Sequence, residues 1–403
     1  MDRDLSIYEY VKKEEYDIVA GPDWPAYDDF KTHQNIQQFV YDEIDTMLWN
    51  LKPFSNPSFC VLPFYGIEYP MNTVCCLLTT KHDLDQIKSD MLAGQRSPYC
   101  HKCWTAEDAG LKSDRMVKNE TLDFYTDTDI QKLYDQCVTG ENSTIHYKID
   151  TSNVCNATCI TCGSASSSAW GQLERKNGVK PNKIWYKIES DFPGTINYKT
   201  AKSIGFRGGE PFLSDTNFEI LEKLLEKNNT DCFINFTTNG SITPSASQKT
   251  ILAQFKNVNF GFSLDGVGPV FEYLRYPLEW NKILENIDFC RKNNILVSVH
   301  HTVSNLNIFY HRQMVSWLKD NNINYMCSLV EHPSYFRPAA LPEHVKKLII
   351  EQQLAPEMNF LLTKHTAKDQ QDYEAFRKDI ARQDTWKAIR MEDYLPELIK
   401  VLG

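Results

Sequence analysis

Between residues 145 and 329 the chain alternates short apolar runs with longer amphipathic segments, and this alternation constrains the fold more than any other feature. In the segment that starts at Phe218, apolar residues recur at i+3 and i+4, which is the period of a helix. Strands and helices that alternate in series predict a parallel sheet with helices outside it and right-handed crossovers. The predicted strands are 145–149, 203–206, 232–237, 258–263, 295–301 and 323–329. The predicted helices are 166–176, 218–227, 246–255, 280–293 and 308–321.

Six such units predict an α/β fold that curls into a partial (β/α)6 TIM-like barrel, open on one side. A barrel of this kind binds its ligands at the C-terminal ends of the strands. The whole chain of 403 residues exceeds one ordinary core. We expect an N-terminal extension (1–55), a cysteine-rich domain (56–120), a helical linker (121–144), the barrel (145–332) and a helical C-terminal region (333–403).

Charge and hydropathy narrow the class of protein. The net charge is −10 and no block of five or six basic residues occurs, which argues against nucleic acid as the main partner. No run of 18 apolar residues occurs, so no membrane span is expected. The first residues lack the apolar core of a signal peptide, which predicts a cytoplasmic protein. In that compartment the 12 cysteines favour metal ligation over disulfides.

Three cysteines follow the first predicted strand at the spacing C-x3-C-x2-C: Cys155, Cys159 and Cys162. A cubane of four irons and four sulfides needs four ligands, and in an electron-transfer cluster all four are thiolates. Three thiolates leave one iron open to a small molecule. Half of a zinc site and three buried thiols are the alternatives, but zinc would prefer a second C-x2-C pair or histidines at ligand spacing, and neither follows nearby.

Small and polar residues stand at the ends of the next predicted strands. Paired glycines let backbone approach a ligand closely, and the acid after them could accept hydrogen bonds from an ammonium group. Further polar side chains offer donors for a carboxylate and acceptors for sugar hydroxyls. Each motif alone is also a common turn. The candidates are Gly208, Gly209, Glu210, Pro211, Asn239, Ser263, Asp265 and Arg275.

The cysteine loop, Gly-Gly-Glu-Pro and Ser-Leu-Asp-Gly, in this order on successive strand–helix units, resemble the radical S-adenosylmethionine (SAM) superfamily over roughly residues 145–330. The resemblance implies that the open iron chelates the amino and carboxylate groups of SAM. Glu210 would meet the amino group, Ser263 and Arg275 the carboxylate or ribose, and Asn239 and Asp265 the ribose. An electron from a flavodoxin- or ferredoxin-type donor would cleave SAM to methionine and a 5'-deoxyadenosyl radical, which abstracts a substrate hydrogen.

The spacing of the N-terminal cysteines is similar to that of the auxiliary-cluster domain called twitch, a shortened SPASM domain. Glu107, Gly110, Ser113 and Arg115 extend the likeness. The familiar domains follow the barrel, whereas this one precedes it. A zinc site is the alternative, because four thiolates also suit tetrahedral zinc. The resemblance implies a second [4Fe-4S] cluster on Cys60, Cys75, Cys100 and Cys103, with Cys76 as a substitute for Cys75.

A few other residues near strand ends are candidates for the pocket. Cys327 on the sixth predicted strand could donate a hydrogen atom to a substrate radical. Arg207, His300, His301 and Glu331 could line the pocket, although alternation along a strand lets only one of the two histidines point inward. Other cysteines are read as buried small hydrophobic residues.

The sequence therefore predicts a two-cluster radical SAM enzyme that achieves a net oxidation, by dehydrogenation or bond formation, of a small molecule or a short peptide. One alternative is a redox-neutral epimerase or isomerase, in which a cysteine quenches the product radical. The alternative from a different class is a zinc-binding module without catalytic activity.

Overall fold

The computed structural model describes residues 56–69, 73–75, 78, 82–108, 113–126, 128–181, 195–330, 332–362 and 366–403. The chain divides into two compact units. Unit 1 contains residues 1–68 and 72–146, and unit 2 contains 69–71 and 147–403. The N-terminal extension, Cys76, Gly110 and Glu331 lie outside the described residues.

Unit 1 contains short helices around a buried cluster that includes Phe59, Tyr65 and Ile87. The predicted helical linker over 121–144 contains the end of one helix (Asp114–Thr126) and the whole of a second (Ile130–Thr139), because Asp129 begins a new helix. Its carboxylate accepts hydrogen bonds from the backbone N–H of Gln131 (2.9 Å) and Lys132 (3.3 Å), as an N-cap does. The elements are α1 (Leu62–Tyr65), β1 (Gly66–Tyr69), α2 (Leu84–Leu92), α3 (His101–Asp108), α4 (Asp114–Thr126) and α5 (Ile130–Thr139).

Unit 2 begins with six strands that alternate with helices, as the sequence predicts, and the helix Pro269–Leu274 is an addition that the sequence does not predict. The strands are β2 (His146–Asp150), β3 (Ser203–Arg207), β4 (Phe233–Thr238), β5 (Val258–Ser263), β6 (Leu296–Val303) and β7 (Asn324–Leu329). The helices are α6 (Ser168–Lys176), α7 (Asp215–Glu226), α8 (Ala246–Leu252), α9 (Pro269–Leu274), α10 (Trp280–Lys292) and α11 (His311–Asp320).

The sheet of unit 2 has the strand order expected of an open barrel. The strands from β2 to β7 neighbour one another in chain order, and each pair from β3 to β7 is parallel. Among the described residues, β2 and β7 are not paired with each other. The α/β fold predicted from the alternation is confirmed.

The two faces of this sheet differ in polarity. On one face Phe206, Phe236 and Phe260 are buried in neighbouring strands and pack against Phe212 and Phe218. On the other face Asn235, Asn259 and Ser298 lie side by side and half-buried. The Asn259 Nδ2 atom donates to Asn235 Oδ1 (2.7 Å) and to Ser298 Oγ (3.0 Å). A parallel sheet covered by helices on both faces is apolar on both, so the polar face is suited to a polar ligand.

Helices follow the sheet, as the sequence predicts for the C-terminal region. These are α12 (Glu343–Glu351), α13 (Ala367–Lys387), α14 (Met391–Tyr394) and α15 (Pro396–Leu402). A capping box starts α13, in which Thr366 and Asp369 exchange side chain to backbone hydrogen bonds. None of the helices in the described ranges is both long enough and apolar enough to cross a membrane.

The phenylalanines on the apolar face of the sheet provide the first testable prediction. Phe236 is fully buried, and its ring centroid lies 4.7 Å from that of Phe212 and 5.0 Å from that of Phe206. We expect Phe236→Ala to lower the free energy of unfolding by about 3–5 kcal/mol, because it leaves a cavity. Urea unfolding followed by circular dichroism measures this. Leu284→Ala is the control, since Leu284 is 37% exposed. Equal losses for both variants would contradict this packing.

Candidate functional site

The three cysteines of the predicted cluster loop lie in the connection between β2 and α6. Cys159 is buried, and Cys155 and Cys162 are half-buried. Burial raises the pKa of the Cys155 thiol to about 11 and that of Cys162 to about 12, and in both cases the charge of Cys159 adds to the rise. The three thiols are therefore close enough to interact, and they must release protons when they bind a metal.

A backbone contact fixes the start of this loop to the glycine motif. Gly209 N–H donates to Ser152 O (2.9 Å) and Glu210 N–H donates to Val154 O (2.7 Å). A Cβ atom at Gly209 would lie 2.1 Å from Val154 O, and one at Gly208, where φ is +111°, would lie 2.4 Å from Ser152 O. The glycines thus admit the backbone of the cysteine loop, and their close approach to a ligand stays a prediction.

Other elements hold the rest of the loop. Thr158 N–H donates to Tyr276 O (2.7 Å), and Ile160 N–H donates to Leu274 O (2.8 Å), both just after or at the end of α9. From α6, the Trp170 indole N–H donates to Cys159 O (2.9 Å). These hydrogen bonds anchor the backbone of the loop to α6 and to the end of α9.

Two nitrogen donors lie at hydrogen-bonding range from the cysteine sulfurs. Asn239 Nδ2 is 3.9 Å from Cys155 Sγ, and Arg275 Nη1 is 4.0 Å from Cys159 Sγ. Such N–H···S contacts are one of the means by which proteins adjust iron–sulfur clusters. Three thiols in one loop, with donors beside two of them, fit a cluster that is bound by three cysteines.

Glu210 is buried at the centre of the predicted SAM-binding residues. Its Oε1 accepts from Thr238 Oγ1 (2.7 Å) and Phe212 N–H (3.2 Å), and its Oε2 accepts from Asn239 N–H (2.8 Å). Burial nevertheless raises the pKa of Glu210 to about 7. A carboxylate has about four acceptor positions, so Glu210 can still accept one hydrogen bond, and a bound ammonium would favour its charged form.

Asp265 and Arg275 form a buried ion pair. Arg275 Nε lies 2.6 Å from Asp265 Oδ2, although its N–H is not aligned as a hydrogen bond, and Asp265 Oδ1 accepts from Thr302 N–H (3.0 Å). Burial lowers the pKa of Arg275, but the Asp265 carboxylate and the Cys159 sulfur raise it more, so the net pKa is above its ordinary value. Asp265 thus orients Arg275. The contact of Asp265 with the ribose stays a prediction, as does the role of Ser263, which ends β5 and is half-buried.

The sheet register separates the remaining pocket candidates. His300 lies opposite Ser263 of β5 and is half-buried, whereas His301 is 1% exposed and its Nε2 lies 3.1 Å from His311 Nδ1 on α11. Burial lowers the pKa of His301 to about 3, so it is neutral at physiological pH. Cys327 pairs in register with His301 and is buried like it. Cys327 therefore lies on the same face of the sheet as His301, and its role as a hydrogen donor stays a prediction.

On the polar face, Arg207 forms an ion pair with Asp150 at the end of β2. Pro211, predicted with the SAM-binding residues, is buried and begins a short 3-10 helix (Pro211–Leu213).

A cavity of about 340 Å³ lies beside the cysteine loop. Its lining includes Thr158 from the loop, Tyr276 and Lys387. Lys387 of α13 was not predicted from the sequence, because nothing near it in the chain resembles a motif.

In unit 1, the four predicted ligands of the auxiliary cluster, Cys60, Cys75, Cys100 and Cys103, line a single small cavity together with Arg115. Burial raises the pKa of Cys60 well above its ordinary value, that of Cys100 to about 11 and that of Cys103 to about 12. The Arg115 charge opposes the rise for Cys60 and Cys100.

Arg115 is held in place by the residues that extend the twitch likeness. Its Nε and Nη2 donate to the two carboxylate oxygens of Glu107 (2.9 and 2.8 Å), and its Nη1 donates to Phe59 O (2.7 Å), next to Cys60. Ser113 also donates to Glu107. The guanidinium is thus fixed beside the thiols, where it favours their deprotonated form.

The room between these thiols bears on what they could hold. The cavity volume is about 20 Å³, so the side chains must turn outward to hold a four-iron cluster. Across the described ranges, no three His, Cys, Asp or Glu side chains are arranged around one point as ligands of a single metal ion. Zinc holds all its thiolates about 2.3 Å from one point, whereas each thiolate of a cubane binds its own iron.

Comparisons with known proteins give a distant structural likeness. No protein-family model matches the chain, and no curated protein matches it. Similar solved structures include anSMEcpe with bound AdoMet and the Kp18Cys peptide (17% identity, TM-score 0.35, 45% of this chain and 50% of that one). Another is Streptococcus suis SuiB bound to the precursor peptide SuiA (16% identity, TM-score 0.36, 56% and 51%). The chain thus spans about half of each, and so distant a likeness does not assign a function.

Gly209 provides a test of the loop geometry. We expect Gly209→Ala to lower the free energy of unfolding by about 2 kcal/mol or more, because the new methyl group overlaps a carbonyl oxygen. Gly163→Ala, in the same loop, is the matched control, since a Cβ there meets no atom within 4 Å. Urea unfolding of the metal-free protein measures both. If Gly209→Ala were as stable as Gly163→Ala, the backbone contact would be disproved.

Glu210 predicts a pH dependence. Its pKa is about 7 in the fold against 4.5 ordinarily, so the folded state binds the proton more tightly and stability falls as the pH rises from 4.5 to 7. The shift corresponds to about 3 kcal/mol. We expect the wild type to lose about that much unfolding free energy relative to Glu210→Gln as the pH rises across this range, because the glutamine does not ionise. A difference that does not vary with pH would contradict the burial of Glu210.

Proposed function

We propose that the chain is a radical SAM enzyme in which Cys155, Cys159 and Cys162 bind a [4Fe-4S] cluster with one open iron. The observation that carries the proposal is the join between the cysteine loop and the Gly-Gly-Glu motif at the C-terminal ends of β2 and β3. It places three interacting thiols and a buried carboxylate at one edge of a parallel sheet, where folds of this class bind ligands.

The surrounding residues have defined tasks in this proposal. Glu210 has one acceptor position left for the amino group of SAM. Arg275, oriented by Asp265, presents a cation to its carboxylate, and Asn239 holds the loop through Asn156 Oδ1 (2.8 Å). When bound, the cluster and SAM supply a deoxyadenosyl radical that abstracts a hydrogen atom from the substrate; that chemistry belongs to the cofactor.

The polar face of the sheet supports a polar substrate. Asn235, Asn259 and Ser298 form a hydrogen-bonded row there, and Arg207 is fixed by Asp150. Amides and hydroxyls both donate and accept, so they suit a small polar molecule or the backbone of a short peptide equally. We propose a substrate from one of these two classes.

We further propose that Cys60, Cys75, Cys100 and Cys103 bind an auxiliary [4Fe-4S] cluster. Four thiols fill all the irons of a cubane, which favours electron transfer over the binding of a substrate to iron. An electron acceptor of this kind allows a net oxidation, such as dehydrogenation or bond formation. The electron donor to the first cluster would be a flavodoxin or a ferredoxin.

Anaerobic iron and sulfide analysis tests both clusters. We expect about eight irons and eight sulfides per chain, and about four of each when Cys155, Cys159 and Cys162 become alanine. Cys232→Ala and Cys290→Ala are the controls, because both thiols are fully buried outside the two sites. These controls should keep the full count.

The results separate the alternatives. Zinc without sulfide would support a zinc-binding module and contradict the proposal. A wild-type count near four would remove the auxiliary cluster alone. Reduced wild-type protein is also expected to form deoxyadenosine from SAM, while the triple alanine variant forms none, and chromatography of the products measures both.

A further inference from the structure

Lys387, the last residue of α13, is a buried cation whose ammonium group contacts neutral side chains among the described residues. It is 5% exposed, its Nζ donates to Gln383 Oε1 (2.8 Å), and its Nζ lies 4.7 Å from the Trp170 ring centroid. Burial lowers its pKa to about 8. A buried cation is costly unless an opposite charge compensates it.

Both partners of Lys387 also hold the cysteine loop. Gln383 Nε2 donates to Ile160 O (3.0 Å), and Trp170 Nε1 donates to Cys159 O (2.9 Å). Lys387 itself lines the 340 Å³ cavity together with Thr158 of the loop. Gln383 and Trp170 therefore each connect the ammonium group to the segment between Thr158 and Ile160.

The nearby carboxylates are in direct contact with other groups. Asp384 accepts from Tyr273 O–H (2.8 Å) and Met391 N–H (2.8 Å). Asp379 binds Arg382 and accepts from Gln383 Nε2 (2.7 Å). Within the part of the chain that the structure describes, Lys387 forms no ion pair. The charges that favour its protonated form are Cys159 first, then Asp384, Asp379 and Cys162.

We propose that Lys387 supplies the counter-charge to the thiolate-bound cluster at Cys155, Cys159 and Cys162 and raises its reduction potential. This rests on the proposed function. Thiolates bound to an oxidised cubane leave the centre negative, and the negative charge grows when an electron is added. A fixed cation beside the ligands stabilises the reduced form more than the oxidised form. Lys387 is a positioning residue, because it acts through the cluster ligands and not on the substrate.

The test is a redox titration of the reconstituted full-length protein, followed by electron paramagnetic resonance. The signal of this cluster is the one that changes when SAM is added. We expect Lys387→Met to lower the midpoint potential and Lys387→Arg to keep it near that of the wild type. Lys346→Met is the matched control, because Lys346 is 1% exposed and its Nζ lies 3.7 Å from Asp369 Oδ2. It should leave the potential unchanged.

The other outcomes are decisive as well. If Lys387→Met folds but loses the cluster while Lys387→Arg keeps it, the counter-charge is supported. An unchanged or raised potential in Lys387→Met, an equal shift in Lys346→Met, or loss of iron from both Lys387 variants overturns it. If Lys387→Met does not fold, Lys387→Gln replaces it with the same expectation. A wild type that binds no iron and sulfide defeats the proposed function, whereas a loaded wild type with an unshifted variant defeats only this inference.

Discussion

The site depends on two backbone hydrogen bonds, from Gly209 and Glu210 to the carbonyls of Ser152 and Val154. They join the strand end that carries the carboxylate to the loop that carries the thiols. The joint is possible only because neither Gly208 nor Gly209 has a Cβ atom, which would overlap those carbonyls. Every later feature, from the Asn239 contact with Cys155 to the buried Glu210, needs these two segments side by side.

Two cations lie close to the cysteine loop of a chain that is acidic as a whole. The net charge is −10, yet the cysteine loop lies between Arg275, which Asp265 holds, and Lys387, which Gln383 and Trp170 hold. Glu210, a buried acid of the neighbouring strand end, is only partly ionised at pH 7 because burial raises its pKa to about 7. Two cations thus lie close to three potential thiolates, and each of them favours a negative charge on the sulfurs.

Much of this architecture could be predicted from the sequence, because period and order are local properties. The alternation of β2 to β7 with helices is readable from the apolar pattern, and the position of Cys155 after the first strand of the barrel follows from it. The reason why both Gly208 and Gly209 must be glycine could not be predicted, since it depends on which backbone segment packs against them. The contribution of Lys387 could not be predicted either, because it lies far along the chain and only tertiary packing brings α13 to the loop.

The two faces of the sheet bear on the choice between oxidation and epimerisation. An epimerase of the kind considered needs a cysteine beside the substrate radical. In the described part of unit 2, the cysteines outside the loop are Cys232 and Cys290, both fully buried, and Cys327, which is in register with His301 on the helix-facing side. The polar face instead presents amides, hydroxyls and Arg207. Amides, hydroxyls and a guanidinium do not readily donate a hydrogen atom to a carbon radical, which favours the proposed oxidation over the epimerisation. In the proposed function, the auxiliary cluster at Cys60, Cys75, Cys100 and Cys103 would accept the electron that such an oxidation releases.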